Sequence, residues 1–372
     1  MSHSDPDVVV IGAGVVGAAV AFELASAGHR VLVLDMRRPG AGASQASAGI
    51  LAPWVEGHHS TALRTLGLRS LDAYEAFVRT VVARSGIAVE FRRAGTLEIA
   101  VDDADVARLR QSAATLEAAG VAAAWMDGAR ARALEPVLGP HVVGALKIPS
   151  HAVVNVPALT AASAGAAIAA GARVQTGLTV TAVERDADRV LVRTTQGELR
   201  ATHVVLAAGS WSCALAPDGA VAPPVRPVRG QLLHIKTAPG AVGHVLWGAD
   251  VYLVPWADGT VYVGATSEEV GFDERPTAAG VSGLLARTVA LAPGLAGATF
   301  VEARAGLRPG TDDSLPFIGP SAVLPGLVYA CGHFRNGALL APLTATLVAG
   351  LITGSTADPA LPLLAPSRAG RL

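Results

Sequence analysis

The stretch Asp7-Val8-Val9-Val10-Ile11-Gly12-Ala13-Gly14-Val15-Val16-Gly17, followed by Val31-Leu32-Val33-Leu34-Asp35, decides the fold. A short apolar run from Asp7 to Ile11 ends at a glycine, and Val15 to Ala27 has helical composition. Val31 to Leu34 is again continuously apolar, as expected of a parallel strand covered on both faces. Strand, turn, helix and strand in this order make a βαβ unit and predict a doubly wound sheet. Gly12, Gly14 and Gly17 have the G-x-G-x-x-G spacing of a dinucleotide-binding turn. The first permits the tight turn, the second lets backbone approach a pyrophosphate, and the third lets the helix pack close to the sheet. A helix starting near Val15 points unpaired N–H groups and the positive end of its dipole at the phosphates. Asp35 stands 18 residues after Gly17, where a carboxylate accepts hydrogen bonds from ribose hydroxyls. It repels a ribose 2′-phosphate, whereas Arg37 and Arg38 would attract one. The turn by itself does not separate NAD from FAD.

Further along, Val204 to Ala207 reads as a strand ending at Gly209, and Leu327 to Ala330 as another ending at Gly332. Val89 to Val101 and Leu246 to Ala265 alternate more, with Gly259 as a turn signal, and read as a largely antiparallel sheet. The predicted architecture is α/β: a Rossmann-like nucleotide-binding domain from residues 1–80, 150–215 and 305–372. It is interleaved with a smaller α+β domain from 81–149 and 216–304 that carries the antiparallel sheet. A length of 372 residues suits two or three structural units. Charged residues are 16% and hydrophobic ones 51%, which excludes a disordered chain. With 29 Lys and Arg against 30 Asp and Glu, and a pI near 6.8, there is no basic excess with which to bind nucleic acid. Cys213 and Cys331 are the two cysteines, so neither a disulfide framework nor a C-x-x-C pair exists.

The N-terminus, Met1 to Asp7, lacks the basic region of a secretory signal, and a cytoplasmic location is expected. Mean hydropathy is +0.44 and two long stretches carry no charge, Ala152 to Ala172 and Asn336 to Ala357. Both are punctuated by prolines, glycines or polar residues. Each is expected to be a buried helix rather than an integral membrane segment.

Beyond the acidic strand end, Ala43-Ser44-Gln45-Ala46-Ser47-Ala48-Gly49-Ile50-Leu51 is a run of small residues. It fits either a polar surface loop or a bed for a broad planar ring. Together with Ala305-Gly306-Leu307-Arg308-Pro309-Gly310-Thr311, Pro316-Phe317-Ile318-Gly319 and Gly332-His333-Phe334-Arg335-Asn336-Gly337, it resembles the D-amino-acid oxidase family of FAD-dependent oxidoreductases. Within that family the resemblance is to the thiamine-pathway branch that oxidises glycine. It extends over nearly the whole chain, including Val204 to Trp211, and is loose across Ala100 to Pro140 and Ala279 to Gly297.

The resemblance implies noncovalent FAD in an extended pose. Val15, Val16, Asp35 and Met36 would meet its diphosphate and adenosine. Ala43, Ser44, Ala48, Gly49 and Ile50 would line pyrophosphate and flavin, Val180 would meet the adenine, and Gly209 would also touch the cofactor. His333, Phe334, Arg335, Asn336, Gly337, Ala338 and Leu339 would border the isoalloxazine. Gly337 opens an apolar helical stretch, Ala338 to Leu351, whose positive N-terminal end would stabilise an anionic reduced ring. Cys331 does not match the position of a covalent flavin cysteine.

The implied substrate is a small amino acid, whose constant handle is a carboxylate that a guanidinium fork binds bidentately. Arg308 matches the family arginine in that role, and Arg335 and Tyr252 match two further pocket residues. Without the family, a lone arginine is more often a surface charge or a structural ion pair, and Tyr252 reads as a buried strand tyrosine with a satisfied hydroxyl. The implied chemistry is hydride transfer from the substrate Cα to flavin N5, which requires positioning rather than a catalytic triad. Products would be an imine that hydrolyses to a keto acid and ammonia, with dioxygen reduced to hydrogen peroxide. No metal is expected, since His58, His59 and His333 lack partners at ligand spacing. Relatives of this family assemble as homo-oligomers. Asp250, Ile50 and Ser267 depart from the family pattern, and Asp250 is expected at the pocket rim, favouring a cationic or secondary-amine substrate. Two other functions fit the sequence: a dehydrogenase of the same fold that reduces a quinone, and a nucleotide-binding protein without chemistry.

Overall fold

The computed structural model describes residues 5–56, 60–355 and 357–372. Val8–Ile11, fully buried, forms the middle of a six-stranded sheet. In order across the sheet the strands are Phe317–Pro320, Leu327–Cys331, His203–Leu206, Val8–Ile11, Val31–Asp35 and Arg173–Thr176. All neighbours are parallel except the first pair. The helix Val15–Ser26 crosses from the first strand to the second, as the βαβ pattern predicts.

The two faces of this sheet are covered differently. Val8, Val10, Val31, Val33 and Val205 pack under helices that include Val15–Ser26, Thr61–Ser85, Val156–Ala169 and Gly337–Thr353. Val9, Leu32, Leu34, Val204 and Leu206 face instead a three-stranded antiparallel meander, Val180–Asp186, Arg189–Thr194 and Gly197–Ala201. This corrects the doubly wound expectation. A parallel sheet needs apolar cover on both faces, and the inward residues Val183, Val190 and Val192 supply it as well as a helix would.

The second sheet has eight strands, with Thr299–Gly310 at one edge, followed by Arg226–Lys236, Thr260–Gly264, Tyr252–Pro255 and Val245–Trp247. Thr96–Ala100, Gly144–Ile148 and Ala124–Asp127 complete it. It is antiparallel except where Val245–Trp247 runs parallel to Thr96–Ala100. A division at 304/305 would cut the strand Thr299–Gly310, which belongs as a whole to this sheet. The helix Gly337–Thr353 accounts for the second charge-free stretch. Phe334–Thr353 is long and apolar enough to cross a membrane, yet Leu339, Ala341, Leu347 and Val348 are packed into the protein's largest core.

The strand Thr299–Gly310 joins the two sheets. Gln45 Nε2 donates to Ala305 O (2.8 Å), Arg304 Nη1 donates to Gln45 O (3.1 Å), and Ser210 Oγ donates to Leu307 O (2.9 Å). At Gly306 the backbone of Ala43 comes so near that an added Cβ would lie 3.1 Å from its Cα. The loops at the ends of the parallel strands are thereby fixed against a strand of the other sheet.

Candidate active site

A cavity of about 980 Å³ lies where these loops meet the second sheet, at the upper end of the roughly 300–1,000 Å³ usual for ligand sites. It opens beyond the carboxyl ends of the parallel strands, the usual ligand position in such sheets.

The glycine turn forms one end. Gly12 has φ +105°, and a Cβ there would lie 2.4 Å from Ala207 O, so only glycine fits. A Cβ on Gly17 would lie 1.9 Å from Gly12 O, which brings the helix onto its own turn. Around Gly14 the sole neighbour of such a Cβ is Ser44 Oγ at 3.4 Å, so this bare backbone faces the cavity. Asp35 is held by two backbone donors, Ala13 N to Oδ2 (2.7 Å) and Arg37 N to Oδ1 (2.8 Å). Ser44 Oγ accepts from Val15 N (3.0 Å), tying the small-residue loop to the helix start. Arg37 ion-pairs with Glu274 (2.7 Å) and lies over the Trp211 ring (4.6 Å). Its charge is therefore already matched by a carboxylate, which weakens its own attraction for a 2′-phosphate.

The other end lies on the second sheet. Arg308 Nη1 donates to Thr266 O (2.9 Å), which fixes one edge of the guanidinium. Desolvation pushes the Arg308 guanidinium down from its ordinary value, while the Tyr252 hydroxyl and the Glu56 carboxylate act to raise it. Tyr252 is pushed up by desolvation, and the positive charges of Arg308 and Arg335 oppose that shift. Two guanidiniums, one phenol and one carboxylate thus share a single recess. Arginine stays charged in such surroundings, so the recess attracts a small anion.

Between the ends, His333 is buried, with Nε2 3.0 Å from Thr344 Oγ1. Burial lowers its pKa to about 3, so the ring is neutral at physiological pH. Phe334 beside it has φ +47°, a conformation that non-glycine residues hold only where the surroundings impose it.

The sequence-derived residues on the cavity wall are Gly12, Gly14, Val15, Val16, Asp35 and Met36 from the βαβ unit. Ala43, Ser44, Ala48, Gly49, Ile50, Val180 and Gly209 join them from the adjoining loops. Tyr252, Arg308, His333, Phe334, Arg335, Gly337 and Ala338 complete the set. Three others are not on the wall. Gly17 faces Gly12 O, Asn336 is buried with its N–H donating to His333 O (2.9 Å), and Leu339 packs into the helical core. Asp250 is exposed and on the wall, as the expected rim position requires. His58 and His59 lie outside the described residues. The sequence reading did not single out Glu56, Trp247, Thr266 or Arg287, which also line the cavity. They come from four separate segments with no shared motif; Glu56, six residues beyond Ile50, offered the nearest signal.

The cavity suits a dinucleotide: bare glycine backbone at a helix N-terminus, an oriented carboxylate at the second strand end, and room beyond for a ring system. Residues 7–351 match the family described as FAD dependent oxidoreductase (DAO). Glycine oxidase of Geobacillus kaustophilus (strain HTA426) is 34% identical over 348 residues, covering 93% of this chain and 92% of that protein. The crystal structure of glycine oxidase from Geobacillus kaustophilus superposes with a TM-score of 0.94 at 34% identity, over 98% and 99% of the two chains. Iminodiacetate oxidase from Chelativorans sp. BNC1 has a TM-score of 0.88 at 27% identity, over 96% and 98%.

Proposed function

Because this chain belongs to the DAO family of FAD-dependent oxidoreductases, we propose that it oxidatively deaminates glycine, sarcosine or small D-amino acids. The observation that carries the reading is the guanidinium of Arg308, desolvated, fixed by Thr266 O and set beside the Tyr252 hydroxyl in the dinucleotide-sized cavity.

When bound, FAD accepts the two electrons taken from the substrate and passes them to dioxygen, giving hydrogen peroxide. The protein's own part is placement. Arg308 holds the substrate carboxylate through its fork, Tyr252 adds a hydroxyl donor, and Arg335 supplies a second positive charge. With the carboxylate held, the Cα and its amine are fixed relative to the loop Ala43–Ile50 and the turn at His333–Ala338. The restricted orientation lowers the entropic part of the barrier. His333, neutral and buried, leaves the adjoining region without an added positive charge. Water hydrolyses the released imine to a 2-oxo acid and ammonia, or methylamine where the substrate is sarcosine. Gly12, Gly14, Val15 and Val16 would cradle the diphosphate, Asp35 and Met36 the adenosine ribose, and Val180 the adenine. The reading also divides the chain into an FAD-binding domain, 1–80, 150–215 and 305–372, and a substrate domain, 81–149 and 216–304, with the strand Thr299–Gly310 assigned whole to the latter.

Anaerobic mixing of the purified protein with glycine, sarcosine, D-alanine and D-proline tests the proposal. Bleaching of the yellow band by at least one of them is expected, with peroxide released on admitting air. Replacement of Arg308 by alanine should lower kcat/KM by about 100-fold or more, the loss of a bidentate charged contact. Turnover unaffected by that change would overturn the assignment.

A further inference from the structure

Gly230 stands in the interior of one strand of the eight-stranded sheet and Gly264 is the last residue of another, neither with left-handed φ. A glycine inside a strand weakens it, and one reason for its presence is the close approach of another group. Val228 is registered opposite Arg308 and Gly230 opposite Gly306, while Gly264 stands opposite both Leu232 and Tyr252. Side chains alternate along a strand, so Arg308, Gly230, Gly264 and Tyr252 share one face across four adjacent strands.

A Cβ built on Gly230 would lie 2.4 Å from Cζ and Nη2 of Arg308 and 2.5 Å from its Nη1. One built on Gly264 would lie 2.3 Å from the Tyr252 hydroxyl oxygen and 2.4 Å from Cε2 and Cζ. Real Cβ contacts essentially never fall below 3.0 Å. In each case the three nearest atoms belong to the functional end of one side chain. The guanidinium and the phenol head therefore lie down on bare backbone.

We propose that Gly230 and Gly264 are positioning residues for substrate binding: they form the floor on which Arg308 and Tyr252 lie, and so set where a small monocarboxylate is held. This rests on the reading that Arg308 grips the substrate carboxylate. A methyl group at 230 lifts the guanidinium off the sheet and away from Thr266 O. A methyl group at 264 displaces the Tyr252 hydroxyl in the same way.

The test uses the FAD-loaded protein and acetate, a carboxylate that cannot be oxidised at an amine, with binding followed by perturbation of the visible flavin spectrum. Gly230→Ala should weaken acetate by about tenfold, the scale of one charge-assisted hydrogen bond. The KM for the amino acid should rise more than kcat falls. Thermal unfolding supplies a second readout. If the added methyl clashes with Arg308, then in an Arg308→Ala background Gly230→Ala should leave Tm within about 2 °C of that background. This comparison also decides the matter if Gly230→Ala alone fails to fold, since removing Arg308 should then restore folding. An acetate Kd unchanged by Gly230→Ala, or an equal loss of Tm in both backgrounds, overturns the proposal. If Arg308→Ala itself leaves acetate binding intact, the carboxylate reading fails instead, a result separable from the first two.

Discussion

Asp35 shows how a single side chain can be readable in the sequence and still acquire its function only from its neighbours. Its place at the end of a second apolar strand is the one expected of a ribose ligand. The structure adds that its two oxygens are already oriented by Ala13 N and Arg37 N. Replacement by alanine removes one charged acceptor from two backbone donors and from the ribose. We expect FAD affinity to fall by about 10- to 100-fold, the range for hydrogen bonds to a charged group, as read by release of flavin fluorescence on dilution. Asp250 is the contrasting case. Its departure from the family pattern is visible in the sequence, and the structure places it exposed on the cavity wall. Asp250→Asn should lower kcat/KM for sarcosine relative to glycine and D-alanine; an unchanged ratio would dismiss a role in selection. Arg308 was legible as a candidate only through resemblance, because an isolated arginine carries no local signature of burial or of what it faces.

The helix Gly337–Thr353 contains Pro342 in its interior, which removes one N–H from the helical ladder. The carbonyl that this N–H would have served is that of Ala338, and it accepts instead from the Tyr74 hydroxyl (2.8 Å). Leu343 N, next in the chain, donates to Ser70 Oγ (3.3 Å). Both partners come from the helix Thr61–Ser85, so one element repairs the break in another. Tyr74→Phe should cost about 1–3 kcal/mol, the penalty for a buried carbonyl left without a donor, and should appear as a lower midpoint in denaturant unfolding with an unchanged slope. Ser70→Ala should cost less, since the Ser70 contact is longer. Element by element, the parallel strands Val8–Ile11, Val31–Asp35, His203–Leu206 and Leu327–Cys331 and the helices Val15–Ser26, Val156–Ala169 and Gly337–Thr353 were visible from apolar runs and glycine punctuation. The helix Thr61–Ser85 and the strands Arg226–Lys236 and Thr299–Gly310 were not. Nor was the meander Val180–Ala201, because its strands are rich in polar residues and incompletely buried, and so lack a sustained apolar run. Its role as the cover of the second sheet face depends on Leu199, Val190 and Val192 meeting Val9 and Leu34, contacts far apart in sequence.

At the scale of the whole molecule, burial of ionisable groups sets the response to acid. His151 and His333 are both buried, and burial lowers each pKa to about 3. In the unfolded chain they titrate near 6.5. Between these values the unfolded state binds protons that the folded state does not, so stability falls as the pH drops from about 6.5 toward 3. The slope is up to about 1.4 kcal/mol per pH unit for each histidine. We expect Tm to decrease steadily from pH 7 to pH 5, and His151→Asn, remote from the cavity, to make that decrease shallower. A Tm independent of pH over this range would contradict the buried, neutral assignment. The sequence by itself determined the βαβ unit, the glycine turn and the acid after it, because each depends on residues close together in the chain and on spacings fixed by backbone geometry. Only the tertiary structure decided what the strand Thr299–Gly310 does. It brings Arg308 over Gly230 and alongside Tyr252, and holds the loop Ala43–Ala46 against the same strand. Those meetings include residues 260 positions apart, and no local preference can specify them; they follow from the hydrogen bonds and close approach between this strand of the eight-stranded sheet and the loops beyond the parallel strands.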